Sequence, residues 1–188
     1  MRIENIIFRG NSLEILDKIS LEDVKKGMNI FLKVKSIKLP KIFDEEIFNI
    51  FPDNIVELIF NDNFNRPISF YPRNIKKITF GWYFNQVVNN LPEKLEEIHF
   101  NGYFNQDLDN LPLTVNNITL GAFFDKKLDL LPFGLKTIHF GRLYCQKLDN
   151  LPIGIERIYI SNGYVYIEEL REKYGYRVLG YISYYNFL

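Results

Sequence analysis

The side chains best suited to chemistry in this chain are two histidines and one cysteine. They are His99, His139 and Cys145. None of them has the Cys/His spacing of a metal site, and the chain contains neither a glycine-rich phosphate loop nor a nucleophile motif. A single cysteine also excludes an intrachain disulfide, so Cys145 is expected to fill a small structural position. We therefore predict no enzyme, no catalytic residue, no metal and no cofactor.

Both histidines belong to a strict sequence repeat. Six prolines recur every 20 residues, at Pro52, Pro72, Pro92, Pro112, Pro132 and Pro152. A fixed period of this length predicts a solenoid of stacked coils. Stacked coils form an extended face rather than one deep pocket, which favours a binding surface over an active site.

Positions counted from each proline show which residues the repeat controls. Large apolar residues recur three, six, eight, twelve and sixteen places after it. Position six holds Leu58, Ile78, Ile98, Ile118, Ile138 and Ile158, and position twelve holds Phe64, Phe84, Phe104, Phe124, Tyr144 and Tyr164. Positions six and eight point to the same side of a short strand, and equivalent strands must pair in parallel. A coil of 20 residues is too short for a strand and a long helix, so a loop or 3₁₀ turn is expected to return the chain.

Polar residues recur where the chain should turn. Position thirteen holds Asn65, Asn85, Asn105 and Asp125. Asn and Asp side chains bind nearby backbone groups in turns, and stacked copies can bind from coil to coil. We interpret this set as a structural ladder. Gly81, Gly121 and Gly141 at position nine indicate a strand end that needs permissive backbone.

These motifs resemble the FNIP repeat, a short relative of the leucine-rich repeat. The resemblance rests on the run from Phe104 to Pro112 (FNQDLDNLP) and on its relatives that begin at Phe64 and Phe84. It covers about residues 52–163, and the last coils depart from it where Cys145 and Val165 replace the asparagine. The family is known chiefly from social amoebae and giant viruses. The resemblance implies a solenoid for protein interaction.

The chain before the repeats predicts an N-terminal cap. Residues 31–51 follow the same spacing with one insertion and are interpreted as a degenerate first coil. Within residues 1–30, Ile3, Ile6 and Phe8 have strand spacing. Ser12 is predicted to begin a helix that carries Leu13, Leu16 and Ile19, and Ser20 a second helix that ends at Gly27.

Residues 164–188 predict a C-terminal cap. A helix is expected over 166–174, with Gly175 as its stop, followed by a strand from Tyr176 to Ile182. The chain ends in an aromatic tail that is expected to fold onto the last coil. The predicted fold class is thus a β-rich α+β solenoid of the leucine-rich-repeat type. It has short parallel strands, a repeat region at 31–163 and helical caps at both ends.

The repeat also predicts which side chains face outward from the sheet. If positions six and eight face the core, positions five and seven face away from it. Position five holds Glu57, Lys77, Glu97, Asn117, Thr137 and Arg157, and position seven holds Ile59, Thr79, His99, Thr119, His139 and Tyr159. The two histidines should then lie about 9–10 Å apart with Thr119 between them, too far to share one metal ion. These two rows are the predicted partner-binding residues.

Composition limits the partners. The 23 Lys and Arg residues balance the 23 Asp and Glu residues, so no strong field favours nucleic acid or an anionic membrane. No apolar span long enough for a membrane helix and no signal peptide is recognised, so a cytoplasmic location is expected, in the host cell if the protein is viral. A monomer is favoured because the aromatic tail is expected to fold onto the last coil. The leading hypothesis is a scaffold that binds a protein partner.

Two alternatives stay open. Residues 15–24 faintly resemble part of an F-box, which would make the chain a substrate adaptor of a ubiquitin ligase. The aromatic tail, residues 183–188, could instead join two copies in a self-associating structural protein.

Overall fold

In a computed structural model of the chain, one ten-stranded sheet runs the length of the molecule in sequence order. Residues 6–17, 20–43 and 45–181 are described. β1 pairs antiparallel with β2, and every later pair is parallel. The strands are β1 Ile6–Arg9, β2 Ser12–Ile15, β3 Ser36–Lys38, β4 Glu57–Ile59, β5 Lys77–Phe80, β6 Glu97–Phe100, β7 Asn117–Thr119, β8 Thr137–His139, β9 Arg157–Ser161 and β10 Val178–Tyr181.

Each coil begins its strand after a turn on the repeated proline. In all six coils the proline carbonyl accepts a hydrogen bond from the N–H three residues later, at 3.0 to 3.4 Å. The first position of such a turn requires no N–H, which is why proline fits there. A second turn leaves the strand: the position-nine carbonyl accepts the position-twelve N–H at 2.9 to 3.5 Å. These two turns hold the strand between them at the same place in every coil.

The apolar repeat positions form one continuous core behind the sheet. Positions three, six, eight, twelve and sixteen are buried in all the coils that have them. The position-twelve rings form a stack in which neighbouring centroids from Phe64 to Tyr164 are 6.0 to 6.1 Å apart. Five of the six rings also contact an aromatic ring of their own coil, as Phe104 does with Phe100 at 3.7 Å. Every coil therefore depends on its two neighbours for burial.

Residues 31–51 contribute β3 and a 3₁₀ helix, Glu45–Ile50, to the same stack. β3 pairs in register with β4, so that Ile37 lies opposite Leu58. The later return segments run as loops. The prediction of short parallel strands with loop or 3₁₀ returns is confirmed.

At the N-terminal end one predicted helix is confirmed and the other is wrong. α1, Leu21–Lys26, begins after Ser20, whose hydroxyl accepts the Asp23 N–H while the Asp23 carboxylate accepts the Ser20 N–H. It ends at Gly27 and is followed by a short helix α2, Met28–Phe31. The helix predicted after Ser12 is instead strand β2, because Leu13 and Ile15 alternate into the core. Ile3 and Ile19 lie outside the described residues.

At the C-terminal end α3, Ile167–Tyr174, stops at Gly175, which has a φ of 60°. A single 3₁₀ turn, Gly175–Arg177, leads into β10, which pairs in parallel with β9. The helix and strand predicted here are confirmed, with the strand beginning two residues later than expected. Its predicted last residue, Ile182, lies outside the described residues. The tail, residues 183–188, lies outside the described residues. No described helix has the length and apolar character needed to span a membrane.

Candidate partner-binding face

The outward side of the sheet carries two continuous rows of side chains, which we call the strand face. The position-five row runs from Glu57 to Arg157 and the position-seven row from Ile59 to Tyr159, as the strand pairing shows. All of these residues are partly accessible, and Arg157 is exposed. Strand pairing extends the second row to Lys38 and Glu14 at one end and to Leu179 at the other. The predicted residues thus lie side by side on one surface.

Charges in the N-terminal part of the strand face compensate one another. Lys77 lies between Glu57 and Glu97, with its Nζ 3.5 Å from a carboxylate oxygen of each. On the neighbouring row Glu14 contacts Lys38 at 2.8 Å and Arg9 at 3.8 Å. The hydrogen bond from Lys38 lowers the pKa of Glu14, although its burial opposes the shift. Partly exposed pairs of this kind add little stability but leave no net charge to attract a partner.

His99 is uncharged at neutral pH. Burial, with the charge of Lys77 adding to it, lowers the pKa of His99, and the Glu97 carboxylate opposes the shift only in part. Its Nε2 lies 3.4 Å from a Glu97 oxygen, yet the buried nitrogen makes no hydrogen bond of good geometry with the described residues. Burial and Lys77 therefore outweigh the Glu97 carboxylate, and the lowered pKa favours the neutral ring. Its neighbours in the row are Thr79 and Thr119.

The C-terminal part of the strand face is aromatic. The rings of His139 and Tyr159 stack with centroids 3.9 Å apart and planes 10° apart. Burial lowers the pKa of His139 too, so this pair is an uncharged platform. Leu179 lies beside Tyr159 in the register, and Tyr181 reaches across the strand ends to donate a 2.7 Å hydrogen bond to the Phe140 carbonyl. Stacked rings beside aliphatic surface are typical of interaction anchors.

The described residues contain no group of three or more His, Cys, Asp and Glu side chains that could hold a metal ion. His99 and His139 are separated by Thr119 in the pairing, as the repeat predicts. Cys145 is exposed, and its sulfur lies 3.2 Å from a carboxylate oxygen of Asp125. The hydrogen bond to that carboxylate raises the pKa of the Cys145 thiol. A raised pKa lowers the fraction of thiolate, so this cysteine is not activated as a nucleophile.

The predicted Asn/Asp set forms a chain of hydrogen bonds from coil to coil. The side-chain oxygens of Asn65, Asn85 and Asn105 each accept the backbone N–H of the next member, at 2.9 to 3.0 Å. Asp125 continues the chain to the Cys145 N–H at 2.9 Å. Their geometry is structural: each oxygen satisfies the backbone of the following coil.

The turns on either side of the sheet carry two apolar surfaces that the sequence analysis missed. After the strands, Tyr83, Tyr103 and Phe123 stack in a row with centroids 5.6 and 4.5 Å apart. Before the strands, Leu113 and Phe133 are 68% and 77% exposed, and Ile153 is 95% exposed. We call this second group the turn ridge. Both lie at fixed repeat positions, eleven and one, so the same alignment on the prolines could have found them.

A cavity of about 330 Å³ opens beside the first coils of the repeat. Asp53, Tyr71 and Arg73 contribute to its lining. Burial raises the pKa of Tyr71, so its hydroxyl stays protonated. The cavity brings no catalytic pair of groups together among the described residues, and the strand face remains the better candidate site.

Parallel strands one coil apart, short returns and a shared core define a leucine-rich-repeat-like solenoid. A solved structure supports this class: the crystal structure of CroV588, described as a novel circular LRR protein structure, matches with a TM-score of 0.61 and 20% identity. The match covers 86% of this chain and 32% of that chain, so this chain spans about a third of its length. A search of curated proteins found no significant match.

A family model narrows the class. The FNIP repeat model matches residues 87–123, which include the aligned run from Phe104. The chain therefore contains an FNIP repeat sequence within a leucine-rich-repeat-like fold, and the predicted resemblance is confirmed over residues 87–123. Repeat folds of this kind are typical of protein-interaction scaffolds rather than enzymes.

Proposed function

We propose that this protein is a non-enzymatic scaffold that binds a protein partner through the strand face. The observation that carries the proposal is the stacked pair of His139 and Tyr159, an aromatic platform that lies between Thr119 and Leu179 in its row. Aromatic side chains that combine a large apolar area with few rotatable bonds recur at the energetic centre of interfaces. The cytoplasmic location and the monomeric state stay predictions.

A selection experiment tests the site. A displayed library of random peptides is selected against the folded protein, and the binders are measured against the double variant His139→Ala, Tyr159→Ala. We expect binding to weaken at least about tenfold, as is usual when an interface anchor is truncated. Circular dichroism should show an unchanged fold, because both rings lie outside the core.

The turn ridge offers a matched control. Leu113→Ala with Phe133→Ala removes two large exposed apolar side chains from the turns before the strands and leaves the strand face unchanged. Peptides that still bind the His139/Tyr159 variant but no longer bind the turn-ridge variant would place the interface on the turn ridge. That result would refute the strand-face assignment.

The structure favours neither alternative. The segment that resembles an F-box includes the end of β2, which is paired in the main sheet, and α1 has only six residues. Self-association through residues 183–188 concerns a segment outside the described residues.

A further inference from the structure

The two ends of the strand face differ in charge. Toward the N-terminus, Glu57 and Glu97 share Lys77, and Glu14 contacts both Lys38 and Arg9. Toward the C-terminus, Arg157 is exposed and forms no ion pair or side-chain hydrogen bond with the described residues. Its neighbour in sequence, Glu156, is paired instead with Lys136 at 3.1 Å. The position-five row thus ends in an uncompensated cation.

A second guanidinium lies near the end of this row. Arg177 ends the 3₁₀ turn Gly175–Arg177 directly before β10, which pairs with β9 so that Val178 lies opposite Ile158. Its Nη1 reaches the Ile153 carbonyl at 3.5 Å, and it forms no ion pair within the described part of the chain. Two cations near one end of the face, with no carboxylate partner among the described residues, would attract an incoming anion.

The cations border the aromatic platform. Arg157 and Tyr159 are two residues apart on one strand and therefore face the same way, about 7 Å from each other. His139 stacks on one side of Tyr159, and Leu179 lies on its other side in the register. A ligand at this end of the face could therefore contact the Arg157 guanidinium and the apolar surface around Tyr159 with neighbouring residues.

We propose that the partner presents an acidic segment with a large apolar residue next to its carboxylates. The carboxylates would pair with Arg157 and Arg177, and the apolar side chain would lie on the platform of His139, Tyr159 and Leu179. The proposal rests on the proposed function, because it names the chemistry of the partner at that same face. Charge complementarity fixes the orientation of such a segment, and the apolar contact supplies most of the affinity.

A nucleic acid fits these observations less well. Stacked rings beside arginine can hold an unstacked base, but nucleic-acid binding relies on many phosphate contacts. The position-five row contains Glu57 and Glu97, and the whole chain has a formal net charge of zero. Two guanidiniums at one end are sufficient for a short run of carboxylates and insufficient for a polyphosphate track.

The experiment uses the random-peptide selection on the full chain and compares Arg157→Glu with Arg157→Lys. We expect binders enriched in Asp and Glu near an aromatic or aliphatic residue. Arg157→Glu should weaken them by about tenfold or more, because a like charge is placed at the contact. Arg157→Lys should retain most of the affinity, and the affinity should fall as salt screens the pair.

The outcomes separate the two proposals. Binders that require His139 and Tyr159 but show no acidic enrichment and no loss with Arg157→Glu would overturn the acidic partner and leave the strand-face function intact. Binders that ignore His139 and Tyr159 would overturn both. Single-stranded oligothymidylate is the remaining probe: if it binds more tightly than the selected peptides and depends on Arg157, the partner is a nucleic acid and the proposal is wrong.

Discussion

At the scale of single residues, the position-thirteen side chains show how a polar group can hold an apolar stack together. Each accepts a backbone N–H from the next coil, where the loop offers no backbone partner of its own. Asp125 fills the role as well as asparagine does, because the accepting atom is the shared side-chain oxygen. The glutamines of the next position add further bonds to the same oxygens, as Gln106 does to Asn85 at 3.0 Å.

This geometry predicts the effect of two substitutions at one position. Asn105→Ala removes the acceptor of the Asp125 N–H and should lower the free energy of unfolding by about 1–3 kcal/mol, the usual cost of an orphaned, partly buried donor. Asn105→Asp keeps the accepting oxygen and should cost less than about 1 kcal/mol. Urea unfolding measures both. Equal losses for the two variants would show that the amide group, rather than the accepted bond, matters.

At the scale of elements, the glycines at position nine follow from how closely the coils approach. A Cβ on Gly121 would lie 2.6 Å from the carbonyl carbon and oxygen of Asn101 in the preceding coil. The sequence predicted that glycine is needed here for its permissive backbone, but Gly121 has no positive φ. Close contact with the preceding coil is what excludes a side chain. Sequence spacing locates a strand end but does not show the distance to the next coil.

Two alanine substitutions separate close approach from chain flexibility. Gly121→Ala should destabilise the protein by about 2–3 kcal/mol, because rigid backbone must move. Gly134→Ala, whose nearest contact would be the Leu113 carbonyl oxygen at 3.5 Å, should change the stability by no more than about 1 kcal/mol in either direction. The melting temperatures of the two variants provide the comparison. A similar loss in both would show that close approach of the preceding coil is not what selects glycine at position nine.

The N-terminal hairpin shows where reasoning from the sequence failed. Ser12 has the chemistry of a helix cap, and Leu13 and Leu16 have helical spacing. Leu13 and Ile15, however, also alternate as a strand does. The deciding signal was Gly10-Asn11, a two-residue turn between β1 and β2 in which Gly10 has a φ of 62°. The segment after Ser12 is compatible with both a helix and a strand, and its pairing with the main sheet decides between them. The 20-residue repeat begins too far along the chain to predict that pairing.

At the scale of the whole molecule, the 20-residue period was sufficient to predict the sheet, its register and the row that places Thr119 between the histidines. The period could not predict which residues of the C-terminal cap extend the rows of the strand face, because β10 lies outside the repeat. Leu179 reaches the strand face only through the pairing of β10 with β9. The stacking of His139 on Tyr159 likewise depends on side-chain geometry and not on spacing.

In a stack where each coil contacts mainly its neighbours, a substitution in an end coil should destabilise only that end. A substitution in a central coil should destabilise the whole molecule. Phe104 packs between Phe84 and Phe124, whereas Tyr164 ends the ring stack and donates a 2.7 Å hydrogen bond to the Gln146 carbonyl.

Phe104→Ala should lower the overall stability by about 3–5 kcal/mol and accelerate amide exchange on both sides of the substitution. Tyr164→Ala should accelerate exchange in β9, α3 and β10 while β4 to β6 keep their protection. Hydrogen-exchange mass spectrometry distinguishes the two patterns. Uniform acceleration across the chain in both variants would mean that the protein unfolds as one cooperative unit, and the nearest-neighbour description would then be wrong.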